Sequence, residues 1–494
     1  MTSRAVPLTS RRWKIVLWIY LGILVVLLGT YTNTADADLW HLFALYDYLL
    51  KTGHFPPGDT FSYLADYRLV PDHEWGCAFV FAPLYFVFGP ASLIFLKLAL
   101  LFGTVGLTIR AGLGRRSPTM LEAFFYSLVT LTLLSSFLST VRCEVFTHLF
   151  FALWLLWYQL ERRGRHIPSW AYGLTMIAWA NLHGGFILGL AWLAAVAAIE
   201  FFSGGNWIRH LRILGLCLLA TLANPFGYEL WVGVGRALLI SRSSFDEWSP
   251  VPWLYPYNTF LGYKMLAGWT AVIVIGHVRL QGWKNCDRIA VILPLLFFVA
   301  SILQVRHTSL FAVAAGGLLP PLFPPELSWQ QIHGPGARLH RLAVRTVLFV
   351  LPLVLAMRLL PASQGFHLTY PSESCPAQAV AYLHDHDVRG RLLVDLNAGS
   401  YALWKLQNQM QVSIDGRYDL VYRPRTFNKV ENFFHATGDW RRALTDPPPD
   451  AVLVNLSDPV YPRMRAEPGW TEVYRNSSHA VFRPGAIPLN ISHP

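Results

Sequence analysis

Unbroken apolar runs recur along this 494-residue chain, Ile15 to Leu28 and Val347 to Leu360 among them, and they constrain the fold more than any other feature. A soluble domain alternates polar and apolar residues with the period of its secondary structure. A run that does not alternate, and that fits a helix of about 20 residues, reads as a membrane span. Composition agrees: 54% of residues are apolar, with 19 Trp, 31 Phe and 21 Tyr, and only 14% are charged, against roughly 25% in soluble domains. Disorder is excluded, and the sequence reads as a polytopic α-helical membrane protein.

The net charge of +11 could mean nucleic acid, anionic lipid or loop bias, and its location decides between them. After residue 361 there are 13 basic and 13 acidic residues, so the whole excess, 27 against 16, lies in the membrane part between apolar segments. The positive-inside rule accounts for that, and no nucleic-acid partner is expected. Five Cys make no disulfide framework in a chain this long, and no Cys/His spacing for zinc occurs. The first apolar run lacks a cleavage site after it and reads as a retained helix.

Eleven spans are expected, near 13–31, 91–109, 119–137, 145–160, 168–182, 184–202, 211–223, 261–278, 289–304, 308–323 and 345–361. Alternate helices then place every basic cluster, from Arg11/Arg12/Lys14 to Arg338/Arg341/Arg345, on one side, so the N-terminus is expected to be cytoplasmic. Residues 75–88 are apolar too, but counting them as a span would put Arg115 and Arg116 outside. Pro83 interrupts them, Gly89-Pro90 closes them and His73-Glu74 opens them, so they read as an interfacial or re-entrant helix. The outer face then receives the loop 32–90, the turns at Arg142-Cys143-Glu144, Asn181–Gly185 and 304–307, the stretch 224–258 and the C-terminal segment.

The expected organisation is a transmembrane domain over 1–361, a linker over 362–372 and a small C-terminal α/β domain over 373–494. In that domain, strands at 391–395, 412–415 and 451–455 alternate with helices at 376–385, 400–406 and 427–445. This pattern predicts a parallel sheet, with 473–481 as a closing hairpin. No GxGxxG or P-loop pattern marks a nucleotide site.

Polar residues concentrate on the outer face. Asp36-Ala37-Asp38 opens an amphipathic segment that includes His41. In the irregular entry to a helix two such acids form a divalent-metal ligand pair or a base with a partner, while a single acid there is an ordinary helix cap. His73 and Glu74 begin the next segment. Arg142 and Glu144 sit at the outer end of a span, where ionisable groups are costly; a site and a local ion pair are both open readings. The glycines after Asn181 and His183 permit a tight turn and close approach of a ligand. Arg306 and His307 put cationic groups where a lipid phosphate would lie, on the face that topology normally depletes of them. Glu247 and Trp248 belong to an aromatic outer insertion that reads as a lid, a sugar-stacking surface or an interfacial belt. Asp415-Gly416-Arg417 ends a predicted strand, either as a turn with a salt bridge or as part of a site.

Together these residues resemble the GT-C superfamily of integral-membrane glycosyltransferases, whose donors are polyprenyl-phosphate-linked sugars. The resemblance covers most of the chain. One apolar helix precedes Asp36-Ala37-Asp38-Leu39-Trp40-His41; then come Gly53-His54-Phe55-Pro56, Asp59-Thr60-Phe61-Ser62-Tyr63, His73-Glu74-Trp75 and the Phe88-Gly89 break. More closely, the chain is similar to a bacterial branch with a C-terminal soluble α/β domain. Its recurring landmarks are Asn181-Leu182-His183-Gly184, Asn224-Pro225-Phe226-Gly227-Tyr228, Glu247-Trp248, Arg306-His307 and Asp415-Gly416-Arg417.

The resemblance implies a catalytic carboxylate at Asp38 or Asp36, and a second acid at Glu144. It implies donor-phosphate contacts from Arg306, His307 or Arg142, and substrate contacts among His41, His73, Glu74, Asn181, His183, Glu247, Trp248 and Arg417. Some members use a divalent metal and others none, so magnesium or manganese at Asp36 and Asp38 stays open. The implied setting is the bacterial inner membrane, with the C-terminal domain extracytoplasmic and envelope-biosynthesis proteins as partners. The better-known members carry other C-terminal domains, so no role for 373–494 carries over. The expected function is inverting transfer of a sugar to a lipid-linked glycan, polysaccharide or protein acceptor. A silent scaffold binding lipid-linked glycans, or a glycolipid flippase, is the alternative; a flippase would need polar residues spread through the membrane interior.

Overall fold

The computed structural model describes residues 9–30, 33–67, 70–116, 118, 120–135, 141–239, 246–252, 260–323, 350, 354, 365–372 and 374–485. These fall into two compact units, and the chain passes between them repeatedly. The first comprises 1–33, 90–224 and 242–368; the second comprises 34–89, 225–241 and 369–494. The division by hydropathy at 361 and 373 is linear, whereas this division follows packing and joins residues 34–89 to the C-terminal segment.

The helices, in chain order, are α1 (Thr9–Gly29), α2 (Ala37–Thr52), α3 (Trp75–Phe88), α4 (Ala91–Leu113), α5 (Met120–Ser135), α6 (Glu144–Arg162), α7 (Ser169–Leu182), α8 (Phe186–Ser203), α9 (Trp207–Ala220), α10 (Glu229–Leu239), α11 (Leu261–Gln281), α12 (Arg288–Leu303) and α13 (Thr308–Leu318). Those of the first unit are α1, α4 to α9 and α11 to α13. Its centre is α13, every residue of which is buried. The sequence Ala314-Ala315-Gly316-Gly317 lets neighbouring helices close onto it. A Cβ at Gly316 would lie 2.5 Å from Thr108 of α4, and one at Gly112 would lie 2.6 Å from the Gly316 carbonyl. Small residues of this kind set close helix packing where lipid supplies no hydrophobic drive. The Tyr126 hydroxyl and the Gln159 amide donate to the carbonyls of Gly316 and Gly317, both at 3.0 Å.

Of the eleven spans expected, α4, α8 and α11 are long and apolar enough to cross a membrane, among the described residues. Parts of α1 and α5, and the whole of α3 and α12, are shorter apolar helices. The segment 345–361 lies, apart from 350 and 354, outside the described residues. The fourteen residues of α3 rise about 21 Å, short of the ~30 Å hydrocarbon core.

The second unit is built on a five-stranded sheet of β1 (Gly390–Leu393), β2 (Met410–Val412), β3 (Ala451–Asn455), β4 (Trp470–Arg475) and β5 (His479–Pro484), in the order β2-β1-β3-β5-β4. β1 pairs parallel with both β2 and β3, and β5 joins β3 and β4 antiparallel. Helices α14 (Ala377–Asp385) and α15 (Leu396–Leu406) flank β1 in sequence, and Asp395 caps α15 by accepting from the amides of Asn397 and Ala398. The helical stretch expected over 427–445 is split into Pro424–Phe434 and Arg442–Thr445, with Gly438 at positive φ in the connection.

Residues 61–63 and α2 are bound to this domain. The Val412 amide donates to Phe61 O and the Tyr63 amide to Val412 O, at 3.0 and 3.1 Å, so 61–63 runs along the free edge of β2. Trp40 of α2 stacks on Trp404 of α15 at 5.3 Å and 6°. Burying two such aromatic faces contributes on the order of 1 kcal/mol beyond their area.

Candidate functional site

In the second unit α2 starts at an acid cap. Asp36 Oδ1 accepts the Asp38 amide at 3.1 Å, so Asp36 fills the capping role. Asp38 lies in the first turn, and both acids are half-buried. Asp38 is set against the turn that follows β2. A Cβ at Gly416 would lie 2.7 Å from Asp38 Oδ1 and 3.0 Å from Ser400 Oγ, so only glycine allows this approach. The Gly416 amide donates to Ser400 Oγ at 2.9 Å. Gly399 likewise lets α15 sit on this turn, because a Cβ there would lie 2.0 Å from Ile414 O.

The turn is held by a sealed ionic network. Arg417 donates through Nε and Nη2 to the two oxygens of Asp415 at 2.8 and 2.7 Å, and through Nη1 to Asp59 at 2.9 Å. The Tyr422 hydroxyl donates to Asp415 at 2.7 Å. Side-chain exposure is 6% for Arg417 and zero for both acids. Burial alone would push Asp415 up, but Arg417 and these hydrogen bonds outweigh it and hold the carboxyl below its ordinary range. Arg417 rises well above its ordinary value, since the two carboxylates overcome the cost of its burial. Nearby, His41 Nε2 is 3.7 Å from Asp72 Oδ2, and the Asp72 carboxylate also accepts the Glu74 amide at 2.8 Å. His73 and Glu74 approach each other at 3.8 Å.

A second polar cluster lies wholly in the first unit. Arg142 donates to Glu247 at 2.6 Å, Arg306 lies 3.5 Å from the other Glu247 oxygen, and the Arg306 guanidinium sits 4.3 Å over the Trp248 ring. The Trp248 indole donates to Glu247 at 3.2 Å. Burial would push Glu247 up, but the two arginines hold it below its usual range. Burial and Arg306 together push His307 down, and its Nδ1 donates to Ala300 O at 3.3 Å. Glu144 is buried as the first residue of α6, where the helix dipole favours an anion. Its carbonyl accepts from His148 Nδ1 at 2.9 Å, and His148 Nε2 meets Ser309 Oγ at 2.6 Å.

His183 is fixed by its turn. Its Nδ1 receives the Gly185 amide at 3.0 Å and lies 2.8 Å from Thr147 Oγ1, which itself accepts from the Trp179 indole at 2.9 Å. Nδ1 is therefore an acceptor, and the neutral ring carries its proton on Nε2. A Cβ at Gly185 would lie 2.2 Å from Thr147 Oγ1, which is the physical need for the second glycine of the motif. The Asn181 amide donates to Ile177 O and Ala223 O, which ties the turn together.

The second unit thus gathers Asp36, Asp38, His41, His73, Glu74 and Arg417, and the first gathers Arg142, Glu144, Glu247, Trp248, Arg306 and His307 with the His183 turn. Sequence reasoning missed His148 and Ser309, which lie inside apolar helices, and Asp72, a polar residue between two segments. For a metal, no group of three or more His, Cys, Asp or Glu gathers among the described residues.

Comparison of the whole architecture with solved structures identifies it. AftD, an arabinofuranosyltransferase from mycobacteria, superposes with a TM-score of 0.56 at 14% identity over 97% of this chain. The chain has the GT-C glycosyltransferase fold. It spans only 40% of the length of AftD. The apo oligosaccharyltransferase of Archaeoglobus fulgidus shares the GT-C fold with a TM-score of 0.56, at 11% identity over 91% of this chain and 70% of its own. ArnT from Cupriavidus metallidurans, solved bound to undecaprenyl phosphate, matches with a TM-score of 0.51 at 11% identity, over 96% of this chain and 98% of its own. No protein-family model matches the chain, and no curated protein matches its sequence.

Proposed function

We propose that this chain is a membrane glycosyltransferase that moves a sugar from a polyprenyl-phosphate donor to a hydroxyl of a lipid-linked glycan, polysaccharide or protein acceptor at the outer face of a bacterial inner membrane. The observation that carries the reading is the setting of Asp38. It is a half-buried carboxylate at a helix start, backed by Gly416, where a Cβ would lie 2.7 Å from its Oδ1, and by a turn whose arginine is sealed between two acids. Such a rigid backing is what a general base needs, because its reach must match the proton it takes.

In this reading the acceptor oxygen attacks the anomeric carbon from the face opposite the donor phosphate. The bond from that carbon to the phosphate oxygen breaks, the configuration inverts, and the acceptor proton passes to Asp38. Polyprenyl phosphate leaves with its charge held by Arg306, whose guanidinium is kept in place by Glu247 and Trp248. Arg142 and His307 support that clamp, and Glu144 holds the acceptor. If a divalent ion takes part, Asp36 and Asp38 would hold it, and it would supply positive charge to the phosphate.

The test is transfer by the purified protein in lipid across a panel of polyprenyl-phosphate sugars, following release of free polyprenyl phosphate. Asp38→Asn is expected to lower turnover by roughly 10²- to 10⁴-fold while the protein stays folded. Wild-type turnover in that variant removes Asp38 as base. Donor binding without release in either protein points to the silent scaffold instead.

A further inference from the structure

Beside the Asp38 turn the second unit contains a cavity of about 30 Å³, large enough for one or two water molecules. Its polar walls are His41, Asp59, Asp72 and Arg417, and its apolar walls include Phe55 and Phe226. All four polar side chains are about nine-tenths buried or more. Of the buried polar atoms on these walls, the imidazole carries the one without a hydrogen-bond partner among the described residues. His41 Nδ1 is buried and has no hydrogen-bond partner, and Nε2 stands 3.7 Å from Asp72, longer than a direct hydrogen bond. A water-sized space lined by an imidazole with an orphaned nitrogen, two carboxylates and a guanidinium offers a water the two to four partners it requires.

The position gives this cavity a use. Asp38 and His41 are three residues apart on α2 and so share one face. Asp38 abuts Gly416, and the cavity that His41 lines is also lined by the next residue, Arg417. Thus one face of α2 meets the turn twice, once by direct packing and once across the cavity. We propose that this cavity is an internal water site and that His41, bridged through it to the Asp59–Arg417 pair, is a positioning residue that fixes where Asp38 points. The proposal rests on the reading of Asp38 as base for its kinetic consequence, but not for the water itself.

Two measurements on the full-length protein in lipid test it. A structure at a resolution that shows ordered water is expected to place density within hydrogen-bond distance of His41 Nδ1. Kinetically, His41→Phe is expected to lower kcat about tenfold or more with the donor KM unchanged, because a small displacement of a catalytic group acts on the chemical step. His41→Gln, which keeps a polar end for the water, is expected to stay within about threefold of wild type. A dry cavity, or a His41→Phe enzyme with wild-type kcat, overturns the proposal. Equal losses in Phe and Gln variants overturn it too, since direct packing would then explain them. If His41→Phe does not fold, the water density and the Gln variant decide. If Asp38→Asn retains activity while the water is present, the base assignment fails and the water site stands.

Discussion

The two units each contain an ionic triad, and the two triads are opposite in sign and in solvent access. In the second unit one cation, Arg417, is shared by two anions, Asp59 and Asp415, and at most 6% of any of these side chains is exposed. In the first, one anion, Glu247, is shared by two cations, Arg142 and Arg306, with exposures of 16%, 21% and 19%. A sealed triad whose one cation is already paired with two carboxylates has no positive charge left for an anionic ligand and is suited to a scaffold. A triad that water reaches leaves its arginines accessible to an anionic ligand. Two triads of arginine and carboxylate are therefore suited to different work, and their sign and burial decide which.

Removing the sealed cation sharpens this contrast most. Arg417→Ala leaves two buried carboxylates uncompensated and is expected to cost roughly 3–5 kcal/mol, measured as lost thermal stability in lipid. Arg417→Lys should fall nearly as far, since a point charge cannot replace the fork that spans Asp59 and Asp415. A melting temperature unchanged by either substitution would break the comparison.

Arg306→Ala should do the reverse, leaving stability nearly intact while weakening donor binding. Loss of one charged contact to phosphate is worth about 1.5–3 kcal/mol, or roughly 10- to 100-fold in Kd. Wild-type donor affinity with lost stability would make this triad a scaffold as well.

Gly416→Ala adds one methyl where Asp38 already stands, and its expected effect is smaller: about tenfold in turnover, with donor affinity preserved. Full activity in this variant would mean that Asp38 need not sit where it does.

The smallest effect concerns pH. Burial pushes His41 below the ordinary histidine value; Asp72 and Asp415 oppose that shift, while Arg417 and His73 add to it. Because the fold refuses a proton that the unfolded chain accepts, this contribution is complete above about pH 6.5 and is lost as pH falls from there through the depressed folded value. Thermal melts of wild type should lose stability between pH 7.5 and pH 5.5, and His41→Gln should lose less; equal losses would remove His41 as the cause.

Much of this architecture is legible in the sequence because local chemistry encodes it. Alternation of short apolar runs with helical segments gave β1, β3 and the closing hairpin, and the acid before Ala37 marked the start of α2. What stayed hidden was long-range pairing. Nothing in the period of residues 59–63 says that they lie along β2, some 350 residues away, or that Asp59 is the second anion of Arg417. Asp415-Gly416-Arg417 was noticed as a motif, but the need for its glycine became visible only with Asp38 against it. His148 was hidden for another reason: inside an apolar helix, a histidine whose partners are a backbone carbonyl and Ser309 leaves no pattern at helical spacing.

The central claim is that donor capture and proton removal belong to different triads' neighbourhoods, Arg306 serving the first and Asp38 the second. The most direct test is to measure, on the same purified preparations in lipid, binding of a polyprenyl-phosphate sugar and release of polyprenyl phosphate for Asp38→Asn and Arg306→Ala. The account predicts that Asp38→Asn binds donor like wild type and releases almost nothing, while Arg306→Ala binds weakly and recovers turnover as donor is raised. Wild-type release from Asp38→Asn, or unchanged donor affinity in Arg306→Ala, would contradict it.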